Sequence, residues 1–343
     1  MLKIGHRMRH MWQRITDLVS DTGSSVWLRL FVLCDYLWCN LFLRCTWEEY
    51  RLYDFYKYRH LHRKNYILKS HRSTRYYAMN PTRYAKYKRV MYRDIQRGIR
   101  REWLFLPETD EQQFLAFVKK HQKVIIKPDV GTLGWHVRLL EYTNDAEALA
   151  TFYALTEDSL CEEYICQHEQ MSVLNPSSVN SVRVVTLCDD GVVHIVGATL
   201  KAGGQADAIV DNLHSNGVGV SIDVETGVTL GKALDYHDHA YVYHPVTGVK
   251  MVGFSVPYWE EVLALVRATH LDVAECPYLG WDVAITPDGP EIIEINARPG
   301  PKLIQLMDQK PKGKYLRDYI RKHKIKRKKR VKPEIPDGMK LTE

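Results

Sequence analysis

The sequence is poor in the patterns that mark redox or covalent catalysis. Its seven cysteines, at positions 34, 39, 45, 161, 166, 188 and 276, form no Cys-x-x-Cys pair and are scattered through apolar segments. They read as reduced, buried thiols of a cytosolic protein, and a disulfide framework is not expected in a chain of 343 residues. No Ser-His-Asp or Cys-His nucleophile pattern stands out, and no repeat with the period of a solenoid or propeller is present. The first residues, MLKIGHRMRHMWQR, lack the apolar core and small-residue cleavage site of a secretory signal.

Negative charge is scarce at both ends. Residues 1–102 carry 22 Lys/Arg against 8 Asp/Glu, a net +14, and residues 312–343 carry 13 against 4, a net +9. Between them, residues 103–311 carry 13 against 29, a net −16. Charge alone therefore divides the chain into a basic, Tyr-rich helical N-terminal region (1–102), an acidic middle and a basic tail (312–343) whose charge run and Pro-rich end cannot bury a core. Beside an apolar segment, the basic ends suit an anionic membrane surface or a polyprenyl-phosphate-linked sugar, and the expected location is the cytoplasm, with peripheral contact at the inner face of a membrane. They suit nucleic acid or plain solvation equally on charge grounds.

Gly and Pro are also scarce between 44 and 102, which predicts helices joined near Asn80-Pro81. The segment VWLRLFVLCDYLWCNLFL (26–43) is about long enough to span a bilayer, but Arg29, Asp35 and Asn40 interrupt it. Arg29, Tyr36, Asn40 and Arg44 fall on one narrow helical stripe. A buried helix of an N-terminal domain and an interfacial membrane helix both fit that pattern.

From about residue 121 the texture becomes short β-branched runs: KVIIK, HVRLLEY, LCEEYIC, SVRVVTLC, VVHIVGATLK, VGVSIDV, VTLGKAL, GWDVAIT and EIIEIN. Turn signals DDG (189–191), ETG (225–227) and PDG (287–289) join several of them. Helices are expected at 145–156 and 258–275. The fold class is α+β, with antiparallel, hairpin-rich sheets in place of alternating βαβ units.

Glu294 sits among isoleucines in EIIEIN, and a carboxylate buried without a partner is costly. A three-residue loop at Pro287-Asp288-Gly289 would put Asp282 opposite Glu294, with Ala284, Thr286, Ile292 and Asn296 on the same face. Two facing carboxylates need a cation between them, and three hard oxygen donors (Asp282, Glu294, Asn296) suit Mg²⁺ or Mn²⁺ on phosphates. A solvated surface hairpin and a paired-carboxylate acid/base site are the alternatives. Upstream, KVIIKPDVGTLGWHVRLL (123–140) reads as strand, glycine loop, strand. Lys127 ends the first strand, and Gly131 and Gly134 let backbone N–H groups approach an anion. The stretch matches neither GxxxxGK[ST] nor GxGxxG.

Taken in order, this strand–Lys–Gly-loop–strand, CEEYICQHE, NSVRVVT, VDN…NGVGVSID and GWDVAI…EIIEIN resemble the ATP-grasp superfamily. They are most similar to its sugar-transfer-associated members, over roughly 120–311. The resemblance implies an ATP-grasp fold: two α+β subdomains, 103–160 with the phosphate loop and 161–311 with the adenine and metal sites, gripping ATP. It implies that Lys127 contacts the α-phosphate, that Gly131, Thr132 and Gly134 cover the β- and γ-phosphates, and that Glu162, with Glu163 beside it, accepts from the adenine amino group. Backbone groups of Tyr164 and Ile165 would read the ring edge and Glu169 the ribose. Lys201 would meet the transferring phosphoryl group, Arg183 or Arg298 would stabilise developing charge, and Asp282, Glu294 and Asn296 would hold Mg²⁺ or Mn²⁺. The family's Asp-Lys pair before the first grasp strand has Tyr87-Lys88 as its nearest match, which makes Lys88 the candidate second α-phosphate contact.

The chemistry so implied is phosphoryl transfer from ATP to a carboxylate, followed by attack of an amine on the acyl phosphate. Acceptor recognition is expected at Asp211, Asn212, His214 and Asn216. Small-molecule or sugar-linked carboxylates and amines, as in cell-surface polysaccharide synthesis, are the expected substrates. A hydroxyl-phosphorylating kinase and a membrane- or nucleic-acid-binding protein with a degenerate ATP site are the rival functions.

Overall fold

The computed structural model describes residues 2–20, 25–57, 63–68, 79–80, 87–131, 136–206, 211, 213–237, 239–305 and 310–325. It divides into two compact units, Met1–Met79 with Leu316–Glu343, and Asn80–Tyr315. The first division thus falls before residue 80 and not at the charge boundary near 103, because residues 88–102 supply buried side chains to the second unit. The basic tail beyond 325 lies outside the described residues.

In the first unit the principal helices are Leu2–Leu18, Val26–Leu43 and Trp47–Leu52. Ser25 caps the second through its side chain, and Arg44 ends it in the left-handed region (φ 54). Thr46 and Glu49 form a reciprocal capping box on the third. The core is aromatic: Tyr50, Tyr53, Phe55 and Tyr66 are buried and their rings are in contact. Asp35 accepts from Tyr50 Oη (2.6 Å) and from buried Arg63 (2.8 Å). The Val26–Leu43 helix is long and apolar enough to cross a membrane, yet it buries only Val32, Tyr36 and Cys39. Of the stripe Arg29, Tyr36, Asn40 and Arg44, Tyr36 is buried, Arg29 half-buried, and Asn40 and Arg44 exposed.

The second unit holds two antiparallel sheets. The smaller has the order β1 (Trp103–Phe105), β4 (Ser159–Glu163), β2 (Lys123–Pro128), β3 (Arg138–Glu141). Helix Glu111–His121 packs Phe114, Phe117 and Val118 into one core with Val124, Ile126 and Cys161. A boundary at 160/161 would cut β4, which pairs with both β1 and β2; the adenine-reading strand of the sequence analysis belongs to this first sheet.

The larger sheet has the order β11 (Gly289–Asn296), β10 (Tyr278–Thr286), β5 (Ser181–Asp189), β6 (Val192–Ala202), β7 (Val218–Ile222), β8 (Thr229–Leu234), β9 (Ala240–Tyr241). All nine strands expected from the sequence are present; the two not anticipated, β1 and β9, are three and two residues long, too short to show a period. Helix Trp259–Asp272 packs Val262 and Val266 in the core that also holds Trp281, Val283 and Ile285. Trp281 Nε1 donates to Thr186 Oγ1 (2.8 Å), which in turn meets His270 Nδ1 (2.7 Å). With one strand face committed to this core, the period of two sends Asp282 and Ala284 to the other.

The hairpin between β10 and β11 differs from the sequence reading in detail. Its loop has two residues, since Thr286 pairs with Gly289. A bulge then leaves Ile293 unpaired and restores Asp282 opposite Glu294. Ala284 consequently faces Glu291, and Ile292, expected on the Asp282 face, is buried in the core instead.

Glycine is required where β7 turns into β8. Gly227 has φ +73, and a Cβ there would lie 2.4 Å from Trp259 Cγ. Gly227→Ala should therefore destabilise the second unit by about 2–3 kcal/mol, combining overpacking with left-handed strain; urea unfolding of the variant against the parent protein measures it.

Candidate active site

Antiparallel register builds a row of charges across the larger sheet. Glu294 pairs with Asp282, Asp282 with Arg183, and Arg183 with Thr199, while Ser181 pairs with Lys201 two residues along. Directly paired residues share a face, so Asp282, Arg183 and Lys201 converge. Arg183 donates through Nε to Asp282 Oδ1 and through Nη2 to Oδ2, both at 2.6 Å. Lys201 Nζ lies 3.2 Å from Asp282 Oδ1 and 3.1 Å from Asp211 Oδ1. All three of Arg183, Lys201 and Asp282 are buried. Burial pushes the Asp282 carboxyl up, but Arg183 and Lys201 outweigh it and hold the group well below the usual carboxylate range. Burial likewise works against the Lys201 ammonium, and Asp211 and Asp282 overcome it and raise its pKa.

Two of the expected site residues have protein partners. Asp282 is neutralised by two protein cations, Arg183 and Lys201. Asp211, expected at acceptor recognition, accepts from Ser181 N (2.9 Å), from Ser181 Oγ and from Lys201. Glu294 is different. It is half-buried and, among the described residues, takes no hydrogen bond or ion pair. Asn296 Nδ2 donates to Asp282 Oδ2 (3.3 Å), which leaves its carbonyl oxygen as an acceptor. These hard oxygens fit a divalent cation bound at Glu294 and Asn296, with Asp282 joining only on exchange of a contact to Arg183 or Lys201.

A second buried network lies on the smaller sheet. Lys127 Nζ is 2.5 Å from Glu162 Oε1 and donates to Tyr92 Oη (2.5 Å). Arg101 meets Glu162 Oε2 through Nε (2.9 Å), Glu291 Oε1 through Nη1 (2.6 Å) and Tyr92 Oη through Nη2 (2.6 Å). Burial raises the Glu162 carboxyl, yet Arg101 and Lys127 bring it down to about 2. Burial lowers the Lys127 ammonium pKa despite Glu162. Lys88 Nζ donates to the carbonyls of Pro128 (2.9 Å) and Gly131 (3.0 Å), and burial lowers its pKa too. It thus braces the stem of the glycine loop. The charge of Glu294 opposes that lowering at both Lys88 and Lys127.

The remaining expectations divide. Glu163 points away from Glu162, as adjacent strand residues must, toward Glu102 N (3.3 Å) and His121. Tyr164 N–H is taken by the Lys123 carbonyl (3.3 Å), so any reading of a ring edge falls to the Tyr164 carbonyl and to Ile165. Glu169 is exposed at the start of the short helix Glu169–Ser172, and Arg298 is exposed beyond β11. Asn216 is exposed with φ 61. Thr132, Gly134 and Asn212 lie outside the described residues, as does the side chain of His214. Sequence reasoning missed Arg101, Tyr92 and Glu291. Two buried acids, Glu162 and Glu291, required a cation, and Arg100-Arg101 was the available signal.

Arg101→Met should leave Glu162 and Glu291 short of a partner and cost about 3–5 kcal/mol in denaturant unfolding. The depressed Glu162 carboxyl contributes stability that is complete above its ordinary 4.5 and lost as pH falls toward about 2. Acid unfolding of Arg101→Met should therefore begin at a higher pH than that of the parent protein, as followed by circular dichroism.

Residues 88–317 match the family described as sugar-transfer associated ATP-grasp. Among curated proteins no sequence match is found. Solved structures that resemble the chain include an ADP complex of purK, N5-carboxyaminoimidazole ribonucleotide synthetase. It is 10% identical, with a TM-score of 0.41, covering 64% of this chain and 46% of that one. D-cycloserine synthetase DcsG is 12% identical, with a TM-score of 0.39 and coverage of 67% and 71%. D-alanine–D-alanine ligase from Bacillus anthracis is 13% identical, with a TM-score of 0.38 and coverage of 66% and 60%. This chain spans less than half the length of the first. The family match takes in well over half of the sequence and contains both charge networks: the chain belongs to the sugar-transfer-associated ATP-grasp family and has its α+β fold.

Proposed function

We propose that this protein is an ATP-dependent ligase that joins a carboxylate to an amine, working in the cytoplasm on a cell-surface polysaccharide precursor or related metabolite. The observation that carries this reading is the buried Arg183–Asp282–Lys201 row beside a carboxylate, Glu294, that takes no hydrogen bond or ion pair from a described residue. A phosphate-rich substrate would bring, with its cation, positive charge for Glu294 and further acceptors for the lysines.

Lys127 and Lys88 hold ammonium groups at the base of the glycine loop, where α-phosphate oxygens would accept from them. Lys201 is shared between two carboxylates, and an incoming phosphoryl group competes with both for it. A magnesium or manganese ion held by Glu294 and Asn296, with Asp282 as third ligand, would supply screening of phosphate charge and Lewis acidity. A carboxylate oxygen of the substrate attacks the γ-phosphorus, the bond to the β-phosphate oxygen breaks, and ADP leaves an acyl phosphate. The amine then attacks the acyl carbon, loses a proton, and expels inorganic phosphate. Arg183 faces the same row and would stabilise the oxyanion of that second step.

Incubation of the full chain with ATP, Mg²⁺ and panels of carboxylates and amines tests the reading. A ligase releases ADP and free phosphate only when both acceptors are present, whereas a kinase leaves the phosphate on a hydroxyl product. Glu294→Gln should reduce turnover by about a hundredfold or more with little change in folding. Unchanged turnover and unchanged Mg²⁺-dependent nucleotide binding in that variant would sink the proposal.

A further inference from the structure

The Val26–Leu43 helix turns its apolar side outward. Val32, Tyr36 and Cys39 face the unit's core. On the opposite side Trp27, Phe31, Leu37, Trp38, Leu41 and Phe42 are between 40% and 80% exposed. Asn40 is the only polar residue among the helix's exposed positions, and its Nδ2 donates to the Cys45 carbonyl (2.9 Å). A helix packed against a water-soluble core normally shows the reverse arrangement. Here an apolar surface about 27 Å long, at 1.5 Å per residue, faces outward.

The charge of the unit that carries this face narrows the choice of what covers it. Met1–Met79 with Leu316–Glu343 contain 25 Lys/Arg against 10 Asp/Glu, a net +15, while Asn80–Tyr315 contain 23 against 31, a net −8. A second copy brought face to face would set one strongly cationic unit against another. Anionic lipid headgroups attract that charge and the acyl boundary accepts the apolar side chains. Only part of the helix circumference is free to meet lipid, because Asp35 is tied inward by Arg63 and Tyr50. That geometry suits a helix lying in the membrane plane and not one surrounded by lipid.

We propose that the outward face of the Val26–Leu43 helix docks in the plane of an anionic membrane, with its tryptophans and leucines at the headgroup–acyl boundary. This goes beyond the ligase reading and does not depend on it. Full-length protein should cosediment with vesicles of phosphatidylcholine and phosphatidylglycerol, bind phosphatidylcholine alone far less, and release in high salt. Its tryptophan emission should shift to shorter wavelength on binding. The double substitution Leu37→Glu/Leu41→Glu lies on the exposed face, so the fold measured by circular dichroism should persist while vesicle affinity falls at least about tenfold. Equal binding to neutral and anionic vesicles, or undiminished binding by the double variant, would overturn the proposal. So would resistance of the bound protein to alkaline carbonate, which marks a spanning helix. A lipid-free dimer that the double variant dissociates would assign the face to a second copy.

Discussion

The larger sheet of the second unit depends on how one buried carboxylate is neutralised. Asp282 lies inside a seven-stranded sheet, where an isolated charge would be untenable. Its partners come from the strand beside it and from the next strand over, Arg183 and Lys201, at 2.6 and 3.2 Å. Both contacts require β10, β5 and β6 to hold one register. A slip of one residue between any two would turn an ion-pair partner toward the hydrophobic core. Charge pairing therefore specifies the register of the same strands that carry the candidate site.

The smaller sheet solves a similar problem by a longer route. Glu162 is held by Lys127 from the neighbouring strand and by Arg101 from the segment before β1. Arg101 also reaches Glu291 on the larger sheet, so one guanidinium ties the two sheets together. Tyr92 stands where Lys127, Arg101 and Glu162 meet, and its hydroxyl serves all three. Burial works against the Lys127 ammonium even with Glu162 beside it.

Much of this was legible in the chain because it is local. Strand periodicity, three turn signals and the spacing of Asp282 and Glu294 placed the acids opposite each other. The sequence suggests that pairing through a three-residue loop; the molecule reaches it through a two-residue loop and a bulge at Ile293. A bulge leaves no clear mark in a run of isoleucines. The partners of Asp282 and Glu162 were harder to read, since Arg183 and Arg101 are far from them in sequence and basic residues are common in this chain. Asp211 looked like a loop residue open to substrate, and its role beside Lys201 depends on a strand pairing that spacing alone does not determine. The Val26–Leu43 helix stayed open between a core helix and a membrane-surface helix for a different reason: the sequence does not say which side of it the rest of the protein will occupy.

The bulge at Ile293 has a mechanical consequence. It places Glu291 and Glu294, three residues apart, on the same side of one strand, opposite Ala284 and Asp282. Glu291 grips Arg101, which braces Glu162 and Lys127 on the other sheet, while Glu294 faces the row on its own. β11 thus contributes to both networks from one stretch of four residues, so a change in its bend would alter the Glu291–Arg101 contact and the position of Glu294 together.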